Sequence, residues 1–409
     1  MTSPQTDTSV EPEAEAEHGP TSPREVLRNV FESNGLVVLL AIVSALVVGA
    51  LLVVLSDEDV QTAAGYLFAR PGDMFSAAWK AVSEAYIAMF QGSIYNLKAD
   101  SFGAGIKPLT NTLTFSAPLI FAGLGLGVGF RAGLFNIGAQ GQVILGAIMA
   151  GFIGFAFHLP WGVHLVLAVI GAILGGALWG FIPGLLKATT GAHEVIVTIM
   201  LNYVGLYGLA WLLSLDAFQV VGSDNPKSPA VDSAAQWPRL FGDSYSLHWG
   251  FVVALLAAVG VWWLMERSTL GFTFRAVGAN PSAASKAGMN VKLTYVLVMV
   301  VAGALAGLAG GSQVLGTEKA LTIGIAGSIG FDAITVALLG RSRPAGIVAA
   351  GILFGGLRAA GPTLQVQADL PIDIVLVIQS VIVLFIAAPP LVRFLFRLPE
   401  PRHPKEVTA

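Results

Sequence analysis

The sequence predicts an all-α, polytopic integral membrane protein of about ten transmembrane helices, and three observations carry that expectation. Of its 409 residues 55% are hydrophobic and 11% are charged, whereas about 25% are charged in an ordinary soluble domain. Glycine occurs 48 times, a frequency that in so apolar a chain suits helices packed closely in lipid. Apolar runs long enough to cross a hydrocarbon layer ~30 Å thick recur along the chain.

Residues 1–24 set four prolines among Glu11, Glu13, Glu15 and Glu17. They hold too little apolar surface to fold, so a disordered acidic cytoplasmic tail is expected there, not the basic lead of a signal peptide. Residues 25–396 form the expected transmembrane domain, whose first span is the uncharged run Asn34–Leu55. By the same length test further spans fall at about Leu109–Phe130, Phe135–Phe157, Val163–Leu186, Val195–Leu215 and His248–Met265. Four more follow at about Leu293–Leu315, Ile325–Leu339, Ala345–Ala360 and Ile372–Ala388. With both termini in the cytoplasm, most of the 22 Lys and Arg border inner loops, as the positive-inside rule requires.

Between the first two spans Phe75, Trp79, Val82, Tyr86 and Met89 recur at helical spacing opposite Lys80 and Glu84. This predicts a helix over about 74–90 lying on the outer interface. An outer loop over about 216–247, a cytoplasmic segment over 266–292 and a cytoplasmic tail over 397–409 complete the layout. Small residues four apart mark helix-packing faces: Gly171 and Gly175; Gly176, Gly180 and Gly184; Gly303, Gly307 and Gly311; Gly351 and Gly355.

Several chemistries are excluded. Cysteine is absent, which removes disulfides and thiol catalysis, and the scattered basic residues form no nucleic-acid face. His193-Glu194 opens a zinc-protease pattern that Val197 fails to complete, and Ala326 replaces the first glycine of a nucleophile elbow at Gly327-Ser328-Ile329-Gly330. No metal site is therefore expected. No Gly-Lys pair occurs, so the chain has no Walker A loop, and any ATP that drives it must sit on another chain.

Three polar segments remain. Phe130 to Gln142 sets Asn136, Gln140 and Gln142 among glycines where the third span opens; amides in lipid need partners or a polar cavity. His193 to Tyr203 places Asn202 and Tyr203 within the fifth span. For both, polar glue between helices is the alternative to a place on a solute path. Gly271 to Met289 holds Asn280 as an N-cap, Pro281 at the first helical position and Gly288 as a left-handed stop, which predicts a helix of about seven residues. Its face of Ala283, Ala284 and Ala287 is small enough to seat in a groove on another protein. Asp332 is a carboxylate inside the eighth span, where a charge costs at least ~2.5–3.5 kcal/mol.

Phe130 to Gln142 resembles the F-R-A-G-L-F-N-I-G-x-x-G-Q signature of permease subunits of bacterial ABC importers for nucleosides and simple sugars. Glu194 to Tyr203 is similar to that family's second block, and Arg275 to Gly288 to its cytoplasmic coupling segment. Gln140 stands where the family often has Glu, and Ser282 where it often has an acidic residue. The resemblance, closest to the nucleoside branch, implies a permease without ATPase activity and without a cofactor of its own, in the bacterial cytoplasmic membrane. Its implied partners are ABC ATPase subunits carrying the ATP, a second permease in a heterodimer, and an extracytoplasmic substrate-binding lipoprotein. Asn136, Gln140, Gln142, Asn202, Tyr203 and Asp332 are the expected substrate-pathway residues. Arg275, Gly278, Asn280, Pro281, Ala283, Ala284 and Gly288 are the expected ATPase-coupling residues. A simple-sugar importer is the alternative reading, and an ATP-independent carrier or channel a further one, although a proton relay would call for more buried carboxylates or histidines than Asp332.

Overall fold

The computed structural model describes residues 34–397 apart from 221, 223, 224, 372 and 388. The expected tail 1–24, and 397–409 beyond Arg397, lie outside the described residues. The helices run α1 Asn34–Ser56, α2 Glu58–Ala64, α3 Pro71–Ser93, α4 Phe102–Gly105, α5 Lys107–Arg131, α6 Ala139–Ala156, α7 Val163–Thr190 and α8 Glu194–Leu212. They continue α9 Gly250–Arg267, α10 Thr269–Ala279, α11 Pro281–Lys286, α12 Val291–Ser312, α13 Ile329–Leu339, α14 Pro344–Ala368, α15 Asp373–Ala387 and α16 Pro389–Leu395. The described residues are helical apart from loops and two isolated β-bridges.

Among the described residues eight helices are long and apolar enough to cross a membrane: α1, α5 with α4, α6, α7, α8, α9, α12 and α14. The two other expected spans are shorter helices. The run read as Ile325–Leu339 is only 11 residues of helix, α13, about 16 Å at 1.5 Å per residue. The chain enters it through non-helical backbone at 318–328, and composition alone does not separate an apolar loop from an apolar helix. The last run forms α15, 15 residues long.

At the centre, α6, α7 and α12 meet at backbone contact. A Cβ on Gly176 would strike the Gly303 carbonyl and lie 2.6 Å from Gly307 Cα, and one on Gly180 would strike the Met299 carbonyl. Gly146 and Gly310 likewise face the backbones of Gly307 and Val143. The glycine faces predicted from the sequence are thus the joint between these helices, where small residues let dispersion contacts run along the backbones. Gly351 and Gly355 of α14 face α5, where a Cβ would meet the Ile120 side chain and the Ser116 hydroxyl.

Helix α3 covers the expected 74–90 and extends past both ends. Its stripe of Ala81, Ala85, Ala88 and Gly92 is buried, with Gly92 against Thr363 of α14, while Phe75 and Trp79 stay exposed. The small residues face protein together with Met89, with Val82 and Tyr86 packed partly against it, while Phe75 and Trp79 are left outside.

The loop between α8 and α9 closes one end of the bundle. Val231 N–H donates to Lys319 O at 2.9 Å, Ser228 N–H to Leu321 O at 3.0 Å, and Trp237 N–H to Leu315 O at 3.0 Å. Asp232 accepts from Ala234 N–H and lies 2.9 Å from His158, contacts that hold its carboxyl below the usual range.

Replacing Gly303 with alanine is expected to destabilise the protein by about 1–3 kcal/mol, read as a lower thermal midpoint in detergent. Gly260→Ala, at a site with nothing within 4 Å, is expected to leave that midpoint unchanged or slightly raised.

Candidate functional site

The segment Phe130–Gln142 folds as a helix stop followed by a helix start. Gly133 takes φ +72° just past the end of α5. Leu134 N–H donates to Gly129 O at 2.9 Å and Gly133 N–H to Phe130 O at 3.1 Å, the paired bonds of a Schellman ending. Asn136 Oδ1 then accepts from Gly138 N–H at 2.9 Å, and α6 begins at Ala139. Asn136 therefore precedes the helix in a turn, a correction to the expected start of that span at Phe135.

The amides of this segment are heavily engaged. Asn136 Nδ2 donates to Gln142 Oε1 at 3.0 Å, and both side chains are buried. Asn202 of α8 accepts from Gly141 N–H at 2.8 Å and donates to Ile137 O at 2.9 Å. One side chain thus caps the third residue of α6 from a neighbouring helix. Gln140 reaches the other way: its Nε2 donates to Gly327 O at 2.7 Å and its Oε1 accepts from Gly330 N–H at 2.8 Å. It clips the start of the half-length helix α13 onto α6.

A cavity of about 480 Å³ opens between α6, α8 and the segment leading into α13, and Gln140, Asn202, Tyr203, Gly327 and Phe331 are among its lining residues. Small-molecule sites commonly fall in the range ~300–1,000 Å³ and are mostly apolar with a few polar groups. Three expected pathway residues, Gln140, Asn202 and Tyr203, meet here, and Tyr203 and Phe331 are exposed at its edge. Asn136 and Gln142 stand behind the lining. Asp332 lies outside the lining too, with Oδ2 accepting from Ser328 Oγ at 2.7 Å.

The 266–292 segment is two short helices braced on the turn after α5. Glu266 accepts from Arg131 at 2.7 Å and from Arg275 at 3.2 Å. Gly278 packs against the backbone of Arg131 and Ala132, and Gly133 against Gly278. Two segments far apart in sequence therefore touch without side chains between them. Asn280 Oδ1 caps α11 by accepting from Ala283 N–H at 3.0 Å, Pro281 opens the helix, and Gly288 at φ +83° ends it. Ala283 and Ala287 are exposed, whereas Ala284 is only 4% exposed. The expected outward face of three alanines is corrected to two, because Ala284 turns into its own chain. Arg275 likewise points at Glu266. Beside α11 lies an open groove of about 950 Å³ lined by Lys187, Ser282, Ser285, Lys286, Lys292 and Tyr295, among others.

Arg358 escaped the sequence reading. It sits midway along α14, half-buried, with its guanidinium 5.8 Å from the centre of the Phe115 ring. Its Nη2 lies 3.0 Å from where a Cβ on Gly327 would be, and Asp332 is within electrostatic range. The signal that finds it is a lone charge inside the apolar run Ala345–Ala360.

Gln140→Ala removes both bonds to the start of α13, and unpaired backbone groups cost about 1–3 kcal/mol. Amide hydrogen exchange at 326–332 is expected to quicken by at least tenfold in that variant. Glu266→Lys sets three cations together and is expected to quicken exchange across 269–279, with α7 and α12 unaffected.

The chain is similar to known proteins over most of its length. A family model described as the permease component of branched-chain amino acid transport systems matches residues 109–387. A guanosine ABC transporter permease protein of Bacillus subtilis is 38% identical over 88% of this chain and 95% of its own length. A nucleoside ABC transporter permease protein of Lactococcus lactis is 36% identical over 69% of this chain and 79% of its own. A glucose ABC transporter permease protein of Haloferax volcanii is 34% identical over 68% and 75% respectively. No solved structure matches the chain.

Proposed function

The chain belongs to the family of permease components of branched-chain amino acid transport systems, and from that premise we propose that it moves nucleosides across a bacterial cytoplasmic membrane as one permease of an ATP-driven importer. The observation that carries this reading is the 38% identity to the guanosine permease over 88% of this chain and 95% of that protein. The cavity beside Gln140, Asn202 and Tyr203 supports it, since a nucleoside is uncharged, polar and of a size such a space admits. A simple sugar is the second reading, favoured by the identity to the glucose permease of Haloferax volcanii.

In this proposal both termini and the 266–292 segment face the cytoplasm, the α8–α9 loop faces outward, and α13 with its irregular approach and α15 complete the crossings. Non-helical backbone at membrane depth is tolerated where it lines a cavity, as in transporters with broken helices. Two ATPase subunits, a second permease in a heterodimer and an extracytoplasmic substrate-binding lipoprotein complete the assembly. The ATPase seats against Ala283, Ala287 and the lysine-flanked groove. Closure of the ATPases moves α10 and α11, and the backbone contact of Gly278 with the turn at Arg131–Gly133 passes that motion to α6 and the cavity. Such a conversion requires differential contacts in two states.

Cells lacking this chain are expected to lose uptake of labelled guanosine, and the tagged chain is expected to co-purify with a cassette ATPase and a second permease. Unchanged nucleoside uptake in the deletion strain overturns the proposal. Ala283→Trp, on the open face of α11, is expected to cut uptake at least tenfold at wild-type membrane level. Ala284→Trp, which intrudes on the chain's own packing, is expected to lower the amount of folded protein instead.

A further inference from the structure

We propose that Arg358 contacts the solute on its way through the permease, pairing its guanidinium with the carbonyl edge of a nucleobase while Phe115 offers a ring face beside it. This rests on the nucleoside reading above and names the part of the solute that is sensed. Arg358 is the fifteenth of the 25 residues of α14, about 21 Å from its first residue. A charge at such a position is expensive in lipid and persists where it meets water, a partner or a solute.

Within this chain the guanidinium has little to hold. Among the described residues the ion pairs lie elsewhere, at Glu266, Glu194 and Asp232. Asp332, the carboxylate within electrostatic range, is bonded to Ser328 and makes no ion pair with Arg358. Arg358 makes no hydrogen bond to another described residue, is only half-buried, and has the Phe115 ring as its neighbour.

The surroundings lead to it from two sides. Helix α5 is mostly buried, yet Lys107 and Asn111 are exposed and Phe115 half-exposed, four residues apart along one strip. That strip ends at the ring under Arg358. On the other side Gly327, against which Arg358 packs, also lines the cavity with Gln140, Asn202 and Tyr203. Gly327 thus joins the wall of the cavity to the guanidinium, and in this proposal a solute at that edge meets Arg358.

The chemistry of that group selects its partner. Arginine presents a planar fork of donors that pairs with an oxygen and a ring nitrogen side by side, the edge that a 6-oxopurine offers and an adenine does not. An aromatic face accepts a base by stacking. A hexose presents neither an aromatic face nor such an acceptor edge.

The test uses cells expressing the whole transporter with its native partners, carrying wild type, Arg358→Gln or Arg358→Lys. Maximal uptake rates of labelled guanosine and adenosine are read beside membrane level and co-purified subunits. Arg358→Gln is expected to assemble normally and to lose guanosine transport at least tenfold, with adenosine transport changed less than about twofold. Arg358→Lys keeps the charge but not the fork and is expected to lose guanosine transport severalfold at normal assembly, which serves where the glutamine variant does not accumulate. Wild-type guanosine rates in either assembled variant overturn the proposal. So does an equal loss of both solutes and of assembly that lysine restores, since the charge is then structural. A wild-type transporter that takes up no nucleoside defeats the functional reading itself, a result distinct from unchanged rates in the variants.

Discussion

The contact on which the rest of the structure depends is the backbone approach of α6, α7 and α12. Lipid tails are as apolar as leucine, so burial of apolar surface does little to bring helices together inside a membrane. What remains is close dispersion contact, and that requires the absence of side chains along the seam. Gly176, Gly180, Gly303 and Gly307 supply it, with Gly146 and Gly310 adding the third helix. Polar groups in this bundle can be placed accurately only because the helices carrying them are fixed at backbone distance.

The same device recurs where the two signature segments meet. Gly133 and Gly278 touch directly, and Glu266 ties Arg131 to Arg275 across the junction. Each glycine has its own local reason in the turn or helix that holds it, but the contact exists only between them. The turn after α5 leads within a few residues to Asn136, Gly138 and Gln140, and Gln140 holds the entry to α13. A continuous chain of close contacts therefore runs from the two short helices at one end of the bundle to the cavity at Tyr203 and Phe331.

The amides both join helices and border a cavity. Asn136 and Gln142 satisfy each other, and Asn202 binds two backbone groups of α6. Those bonds answer the need of a buried amide for partners. Gln140, Asn202 and Tyr203 nevertheless border the cavity, so the groups that hold the wall also form part of its surface. Mutating them alters shape and chemistry together.

The sequence by itself determined the all-helical membrane class, the positions of most of the long helices, the glycine faces and the caps of α11, because each depends on composition or on neighbours within four residues. Asn280, Pro281 and Gly288 act through bonds inside a single turn. Five features were decided by the tertiary structure alone. The run at Ile325–Leu339 is a half-length helix, which composition could not reveal because its loop and helix are equally apolar. Ala284 turns inward because α11 packs on its own chain. Phe75 and Trp79 stay outside while the alanines of α3 face protein. Gly133 meets Gly278, and Phe115 meets Arg358, only once α5 lies beside α10 and α14. Such contacts depend on the distance between helices and on their rotation, and local sequence periodicity specifies which face is small without specifying what it will face.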